Sequence, residues 1–247
     1  MEIRGKYKIS IITVCYNSAK YFEETIESVL SQDYDNFEYI IIDGGSTDGT
    51  LDIIRKYEKH LAYWISEPDD NLYDAMNKGI AKATGNIVGM INSDDYYFPD
   101  AFKKVAAAFE DKNLDENIFW GDMIHGDRRI LGWREWNLTR GAFAAHPSMF
   151  CPKNIYNRIG TYCVDYNILA DYDFMYRAIN HYHIKHIYLP ETIAFFRPGG
   201  LASQNILLSL KEELSVKLRY GQPWIKAYPL FLLKIIKNSH KILRNLV

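Results

Sequence analysis

Short runs that are apolar from end to end, each followed by residues at helical spacing, constrain this chain more than any other feature. Ile9 to Val14, Phe37 to Ile42 and Ile87 to Ile91 read as strands, and Ala62 to Ile65 as a shorter one. Between them Phe22, Ile26, Val29 and Leu30, then Leu51, Ile54 and Tyr57, recur at the period of a helix. Ser46-Thr47-Asp48-Gly49 supplies side-chain oxygens suited to starting the second of these helices. A third helix is expected from Asp74 to Ala83, closed by Gly85, and a fourth on Phe102, Val105, Ala106 and Phe109. A strand with no polar face is buried on both sides. The chain is therefore expected to be α/β, with a mostly parallel sheet covered by helices on both faces.

Sheets of that kind bind ligands outside the carboxyl ends of their strands. Three expected strand ends carry polar groups there: Thr13 to Asn17, Asp43, and Asn92-Ser93-Asp94-Asp95. Two adjacent aspartates at the tip of a buried strand repel each other unless something offsets the charge. A hard divalent cation, Mn²⁺ or Mg²⁺, suits oxygen ligands and brings phosphates with it. Asp is also common in turns, and Asp95 alone would serve as a cap for the helix after Pro99. The Gly44-Gly45-Ser46-Thr47-Asp48-Gly49 loop lacks the lysine of a phosphate cradle, and no G-x-G-x-x-G occurs, which argues against P-loop and dinucleotide enzymes.

Composition narrows the partners. Of 247 residues, 48% are hydrophobic, enough for an ordinary globular core, and the 19 Tyr and 12 Phe suit core packing first and ring stacking second. The net charge of −2 hides an asymmetry: no acid follows Glu213, whereas Lys217, Arg219, Lys226, Lys234, Lys237, Lys241 and Arg244 do, so the last 34 residues carry +7 and the rest −9. An acidic body excludes a nucleic-acid binder, whose body is basic. Three cysteines without close pairing fit reduced thiols. Met1-Glu2-Ile3-Arg4 before an apolar stretch superficially resembles a leader, but the stretch is short and no small-residue cleavage site follows. No run reaches the roughly 20 apolar residues that span a bilayer.

The segment from residue 10 to 50, SIITVCYNSAKYFEETIESVLSQDYDNFEYIIIDGGSTDGT, resembles the opening of family 2 glycosyltransferases, inverting enzymes of the Rossmann-like GT-A fold that use nucleotide sugars. Ser66-Glu67-Pro68-Asp69-Asp70 and Tyr73-Asp74-Ala75-Met76-Asn77-Lys78-Gly79 are similar to a subgroup serving bacterial surface polysaccharide synthesis. The resemblance runs to about residue 204. It implies a nucleotide-binding part over about 1–100 and an acceptor-binding part over about 101–204, with 205–247 as a C-terminal helical segment. It implies that Asn92-Ser93-Asp94-Asp95 stands at the metal motif, with Asn92 in place of its first acid, Asp94 as metal ligand and Asp95 as supporting acid or alternative ligand. It places Asp43 on the nucleotide base, and Thr13, Cys15, Tyr16, Asn17, Asn77, Asn92, Ser93 and Asp94 around the nucleotide. Asp122, in Trp120-Gly121-Asp122, is expected to face the donor sugar, His146 to touch the diphosphate or acceptor, and Arg197, before Pro198-Gly199-Gly200, to touch phosphate. Ala170-Asp171-Tyr172-Asp173-Phe174 is similar to a motif that opens with two acids, Ala170 replacing the first, and this puts Asp171 at the catalytic base. Helix geometry points Asp171 and Asp173 in different directions, so one of them alone faces the reaction.

Lys234, Lys237, Lys241 and Arg244, spaced 3, 4 and 3, line one face of an expected helix from Leu230, and Leu230, Phe231, Leu233, Ile235, Ile236, Ile242, Leu243 and Leu246 cover much of the remainder. A basic amphipathic helix of this type lies on anionic membrane surfaces. The expected protein is thus cytoplasmic, held at the inner face of the cell membrane. It moves a sugar, UDP-linked by the family's habit, to a hydroxyl of a lipid-linked saccharide. Two alternatives stand beside it: a sugar nucleotidyltransferase, which would need a Gly-rich N-terminal loop with Arg and Lys, and a non-catalytic relative that binds a nucleotide sugar or another glycosyltransferase.

Overall fold

The structure, a computed structural model, describes residues 5–132, 137–140 and 146–244. The leader-like start and Leu246 lie outside the described residues, as does the side chain of Arg244. Four parallel strands form the first half of the sheet: β1 (Ile9–Cys15), β2 (Phe37–Asp43), β3 (Tyr63–Ser66) and β4 (Ile87–Asn92), in the order β3-β2-β1-β4. They are joined by α1 (Phe22–Leu30), α2 (Thr50–Tyr57) and α3 (Leu72–Lys82). After β4 come β5 (Tyr96–Tyr97) and α4 (Ala101–Phe109), followed by β6 (Asn117–His125), β7 (Arg128–Ile130) and α5 (Asn137–Arg140). Then follow β8 (Met149–Pro152), α6 (Lys153–Ile159), α7 (Ala170–Tyr176) and β9 (Lys185–Phe196). The second half of the sheet is mixed rather than parallel. β8 runs antiparallel to both β4 and β6, β6 and β9 are parallel, and β5 is antiparallel to β9. The expectation of a mostly parallel sheet therefore describes residues 9–92. Beyond them, β6 and β7 form an antiparallel hairpin, and β8, followed by α6 and α7, inserts antiparallel between β4 and β6.

Alternation along the strands sorts the core into two layers. Ile9, Ile11, Ile41, Ile87 and Ile91 face α1, α2 and α4, where Phe22, Ile26, Ile54, Phe102 and Phe109 meet them. Ile12, Val14, Ile40, Ile42, Val88 and Met90 face Met76 and Ile80 of α3 and Tyr172 and Phe174 of α7. On α3, Gly79 lets the helix settle on the sheet: a Cβ there would stand 2.4 Å from the Ile12 side chain. The aromatic richness goes largely into this core, as in the edge-on packing of Phe102 and Phe119 against Phe150.

The chain then closes with α8 (Leu201–Gln204), α9 (Ile206–Arg219) and α10 (Trp224–Arg244). Although α9 begins just past the expected limit of the catalytic unit, it belongs to the same core: Val216 is buried with the α7 residues, and Glu212, Glu213 and Lys217 are buried too. Among the described residues no helix is long and apolar enough to cross a membrane.

Candidate active site

The connection from β1 goes outward to β2 and β3, and the next strand, β4, returns to the other side of β1. That reversal opens a crevice between the carboxyl ends of β1 and β4. The strand ends lie level there, Cys15 opposite Asp43, Asp43 opposite Ser66, and Val14 opposite Asn92.

Asp43 is fully buried. Its Oδ2 accepts the backbone N–H groups of Gly45 (3.1 Å) and Ser46 (2.9 Å) and the Ser66 hydroxyl (2.6 Å), while Oδ1 takes the Ser46 hydroxyl. The carboxylate expected on the base is thus consumed in folding the 44–46 loop, because a buried charge needs these donors. Thr13 and Cys15 are likewise engaged inside the fold. Thr13 is buried with its hydroxyl 2.9 Å from that of Tyr39, and the Cys15 thiol, pushed far up by burial and by the Asp43 charge, turns inward to Asp43 at 3.5 Å. The residues that do stand at this edge are Tyr16, 65% exposed, and Asn17. Asn17 adopts φ 49°, a left-handed conformation that Asn tolerates, and its Oδ1 accepts the Thr47 N–H at 2.9 Å. The next residue, Ser18, lies 2.7 Å from the Ser93 hydroxyl and so joins the β1 loop to the β4 tip.

The two adjacent aspartates part company. Asp95 is 1% exposed, and both its oxygens are taken: Oδ1 accepts the Arg197 backbone N–H at 2.7 Å and Oδ2 the Asn92 amide at 2.8 Å. Burial pushes its carboxyl up to about 7, the Arg197 amide opposing and the Asp94 charge adding. Asp94 is only partly buried, its carboxyl is pushed up by burial, and no described side chain bonds to its carboxylate. Of the expected metal pair, Asp94 carries the carboxylate that no side chain among the described residues bonds, whereas Asp95 ties the end of β9 to the β4 tip. No group of three His, Cys, Asp or Glu able to hold a metal unaided occurs among the described residues. One free carboxylate completed by substrate phosphates is nonetheless a usual way of holding Mg²⁺, and Asp94 fits it.

Asn92 faces two ways. With its amide NH₂ on Asp95, its Oδ1 lies 3.2 Å from Nε2 of His146. On the far side of the ring, Nδ1 stands 3.5 Å from Oδ2 of Asp171. A continuous polar chain, Asp171–His146–Asn92–Asp95, thus crosses the crevice from α7 to β4. Asp171 is the second residue of α7. Its Oδ1 accepts the Tyr172 N–H at 2.8 Å and lies 3.2 Å from the Tyr73 hydroxyl. Asp173 points away, as helix geometry requires, accepting the Tyr220 hydroxyl at 3.1 Å, and burial pushes its carboxyl up.

Three further expected residues are committed elsewhere. Asp122 is buried among Arg129 Nε, the Tyr188 hydroxyl and the Gly132 N–H, each at 2.8 Å, so it braces β6 against β7 and β9. Asn77 uses both ends of its amide on the Tyr162 backbone, at 2.9 and 3.0 Å, and so joins α3 to the loop before α7. The Arg197 guanidinium lies beside the β4 tip but is occupied: Nε donates to the Asp94 carbonyl at 2.8 Å, an NH₂ group to Glu24 at 2.7 Å, and the plane sits 3.9 Å over the Tyr21 ring. Two residues that matter here, Tyr73 and Glu212, are not singled out by the sequence. Tyr73 carries a signal, since it opens the Tyr-Asp-Ala-Met-Asn stretch. Glu212 lies in an ordinary helical pattern with no motif around it.

Fold and site together define an α/β protein with a topological switch point between β1 and β4, where Asp94 follows one strand end and Asp171 opens α7. The chain belongs to glycosyl transferase family 2, whose profile matches residues 10–187. An uncharacterized glycosyltransferase of Mycobacterium tuberculosis is 34% identical over 179 residues, 69% of this chain and 68% of that protein. A PGL/p-HBAD biosynthesis glycosyltransferase of the same species is 29% identical over 220 residues, 86% of each chain. Among solved structures, S. aureus TarS 1-349 in complex with UDP-GlcNAc superposes with a TM-score of 0.67 at 18% identity, covering 93% of this chain and 73% of that one. The mannosyltransferase PcManGT from Pyrobaculum calidifontis, in complex with GDP-Man and Mn²⁺, superposes with a TM-score of 0.66 at 16% identity, covering 96% and 76%. These two share the fold with the present chain.

Proposed function

We propose that this protein transfers a sugar from a nucleotide-sugar donor to a hydroxyl of a lipid-linked saccharide, with inversion at the anomeric carbon, in the synthesis of a bacterial surface polysaccharide. One observation carries the reading: a polar chain from the Asp171 carboxylate through His146 to Asn92 joins the start of α7 to the tip of β4, the strand end after which Asp94 stands. The acceptor oxygen forms its bond to the anomeric carbon as the bond to the diphosphate breaks, and the acceptor proton passes to Asp171. An α-linked donor gives a β-linked product. General-base catalysis of this kind is worth about 10²–10⁴-fold. The residue that would hold Mn²⁺ or Mg²⁺, with the diphosphate, is Asp94, and the ion when bound supplies charge neutralisation for the leaving nucleoside diphosphate. Tyr16, Asn17 and Ser93 border the space for the nucleotide. A UDP-sugar is the favoured donor, and the GDP-Man complex of a protein of like fold makes the guanosine donors the necessary comparison.

The acceptor half of the proposal is supported by α10. Trp224, Ile225, Tyr228, Leu232, Leu233, Ile236 and Leu243 are exposed on it, and exposed Lys226, Lys237 and Lys241 flank that apolar face. An apolar face bordered by lysines matches an anionic membrane surface, the place where a lipid-linked saccharide resides.

Two measurements test the reading. Release of nucleoside diphosphate is followed over a panel of UDP- and GDP-sugars with and without Mn²⁺, and no release from any donor overturns the enzyme. The Asp171→Asn protein is expected to bind nucleotide as the wild type does while transfer falls by about 10²–10⁴. Transfer within about threefold of wild type would remove Asp171 as the base.

A further inference from the structure

The backbone that aims Asp171 is held by a side chain outside the stretch that the family profile matches. Glu212, on α9, is 6% exposed. Its Oε1 accepts the N–H of Asn167 at 2.9 Å, and its Oε2 accepts those of Ile168 at 3.0 Å and Leu169 at 2.9 Å. These three consecutive amides lead directly into α7. Unsatisfied N–H groups gather where a helix begins, and there an ionised carboxylate is favoured. From the opposite side Tyr73 grips the same loop, its hydroxyl 2.5 Å from the Ile168 carbonyl and 3.2 Å from Asp171 Oδ1. Residues 167–171 are thus pinched between α3 and α9.

Only a carboxylate meets all three donors without offering one of its own. A glutamine at 212 would turn an NH₂ group onto one of the amides and push that part of the loop away. The neighbouring Glu213 is engaged elsewhere. Its Oε1 accepts both Lys217 and Lys234, each at 2.5 Å, and so joins α9 to α10. The two adjacent acids therefore act separately, one holding the loop before α7 and the other the terminal helix.

We propose that Glu212 is a positioning residue for the transfer reaction, fixing the 167–169 backbone so that the Asp171 carboxylate faces the acceptor hydroxyl. The inference rests on the reading of Asp171 as base. Displacing a reacting group by about 1 Å costs on the order of 10²-fold in rate. In the full-length Glu212→Gln protein, turnover is expected to fall at least about tenfold, with the Kd for nucleoside diphosphate within about twofold of wild type. Placed on Asp171→Asn, Glu212→Gln is expected to remove no further turnover, since residues acting as one unit are not additive. Amide hydrogen exchange at residues 167–172 is expected to quicken while β1 and β4 stay protected. Tyr73→Phe, a milder change on the same loop, lowers turnover in the same manner and serves if Glu212→Gln does not fold.

Wild-type-like turnover in Glu212→Gln overturns the proposal. So does an equal fractional loss in the wild-type and Asp171→Asn backgrounds, or a parallel loss of nucleotide affinity. Unchanged exchange at 167–169 overturns the geometry even where the protein transfers nothing. Quickened exchange together with an inactive wild type instead removes the assignment of Asp171, and the proposal with it.

Discussion

Residue 92 places an amide where the resemblance leads one to expect an acid. The geometry around it gives the reason. Asp95 is already buried a few ångströms away with one oxygen needing a donor, and Asn92 supplies it, while its carbonyl end meets His146. An aspartate at 92 would put two carboxylates face to face in a half-buried site and leave an oxygen of Asp95 without its hydrogen bond. Losing one buried partner costs about 1–3 kcal/mol. Asn92→Asp is therefore expected to lower the Tm of the metal-free protein by several degrees, at roughly 2–4 °C per kcal/mol for a chain of this size. Because the new acid stands beside Asp94, Mn²⁺ is expected to restore most of that loss in the variant and to raise the wild type less. Thermal melts of both proteins with and without Mn²⁺ test this. A metal-free variant as stable as wild type would show that the Asn92 bridge to Asp95 contributes nothing.

At the scale of elements, β2 is fixed to its neighbours at both ends by buried acids, Asp43 at the carboxyl end and Glu38 near the start. Glu38 accepts the Ser10 hydroxyl of β1 at 2.5 Å, the Thr84 N–H at 2.6 Å and the Lys8 ammonium at 2.7 Å. Burial alone would raise its carboxyl, but Lys8, Ser10 and Thr84 outweigh burial and bring it down to about 2. A folded-state value below the unfolded one means that the unfolded chain takes up the proton first as pH falls. The stabilisation is whole above about pH 4.5 and drains away as the pH drops toward 2. Glu38→Gln is expected to lose about 1.5–3 kcal/mol at pH 7, the worth of a hydrogen bond to a charged group. It should also flatten the fall in Tm between about pH 5 and about pH 2.5. An acid limb as steep in the variant as in wild type would assign the loss to other carboxylates. Elements of this kind are legible in the sequence where a strand is apolar throughout, so β1, β2 and β4 and the helices between them stand where their periodicity puts them. The later strands are not, since β6, β8 and β9 mix directions and draw their partners from distant parts of the chain. For the site, sequence places Asp171, His146, Asn92 and Asp94 at one crevice. It does not tell Asp94 from Asp95, or show that Asn77, Asp43 and Asp122 also hold the fold together through buried hydrogen bonds. Those distinctions depend on which donors the fold brings to each buried carboxylate or amide, and adjacent letters carry no trace of it.

Across the whole molecule the basic tail is only partly a free charge. Lys217 and Lys234 both close on Glu213, so Lys234, expected on the basic face that meets a membrane, instead pins α10 to α9. The exposed cations of α10 are Lys226, Lys237 and Lys241, set beside the face of Leu232, Ile236 and Leu243, all more than half exposed. Helix geometry, about 100° per residue, puts these lysines along one border of the apolar arc, where they reach lipid headgroups while the arc enters the acyl boundary. Each lysine near an anionic surface contributes about 1 kcal/mol, so replacing all three with glutamine is expected to weaken partition to phosphatidylserine-containing vesicles by roughly 100-fold. The difference should shrink at high salt, which screens the same attraction. Leu232→Ser with Ile236→Ser should weaken binding to neutral and anionic vesicles alike. Lys234→Gln separates the two roles of the tail, because it removes a brace to the core: it is expected to lower Tm more than it lowers partition. Vesicle sedimentation of the three variants, with Tm measured in parallel, decides the matter. Undiminished sedimentation of the triple-glutamine protein would mean that α10 holds something other than an anionic membrane.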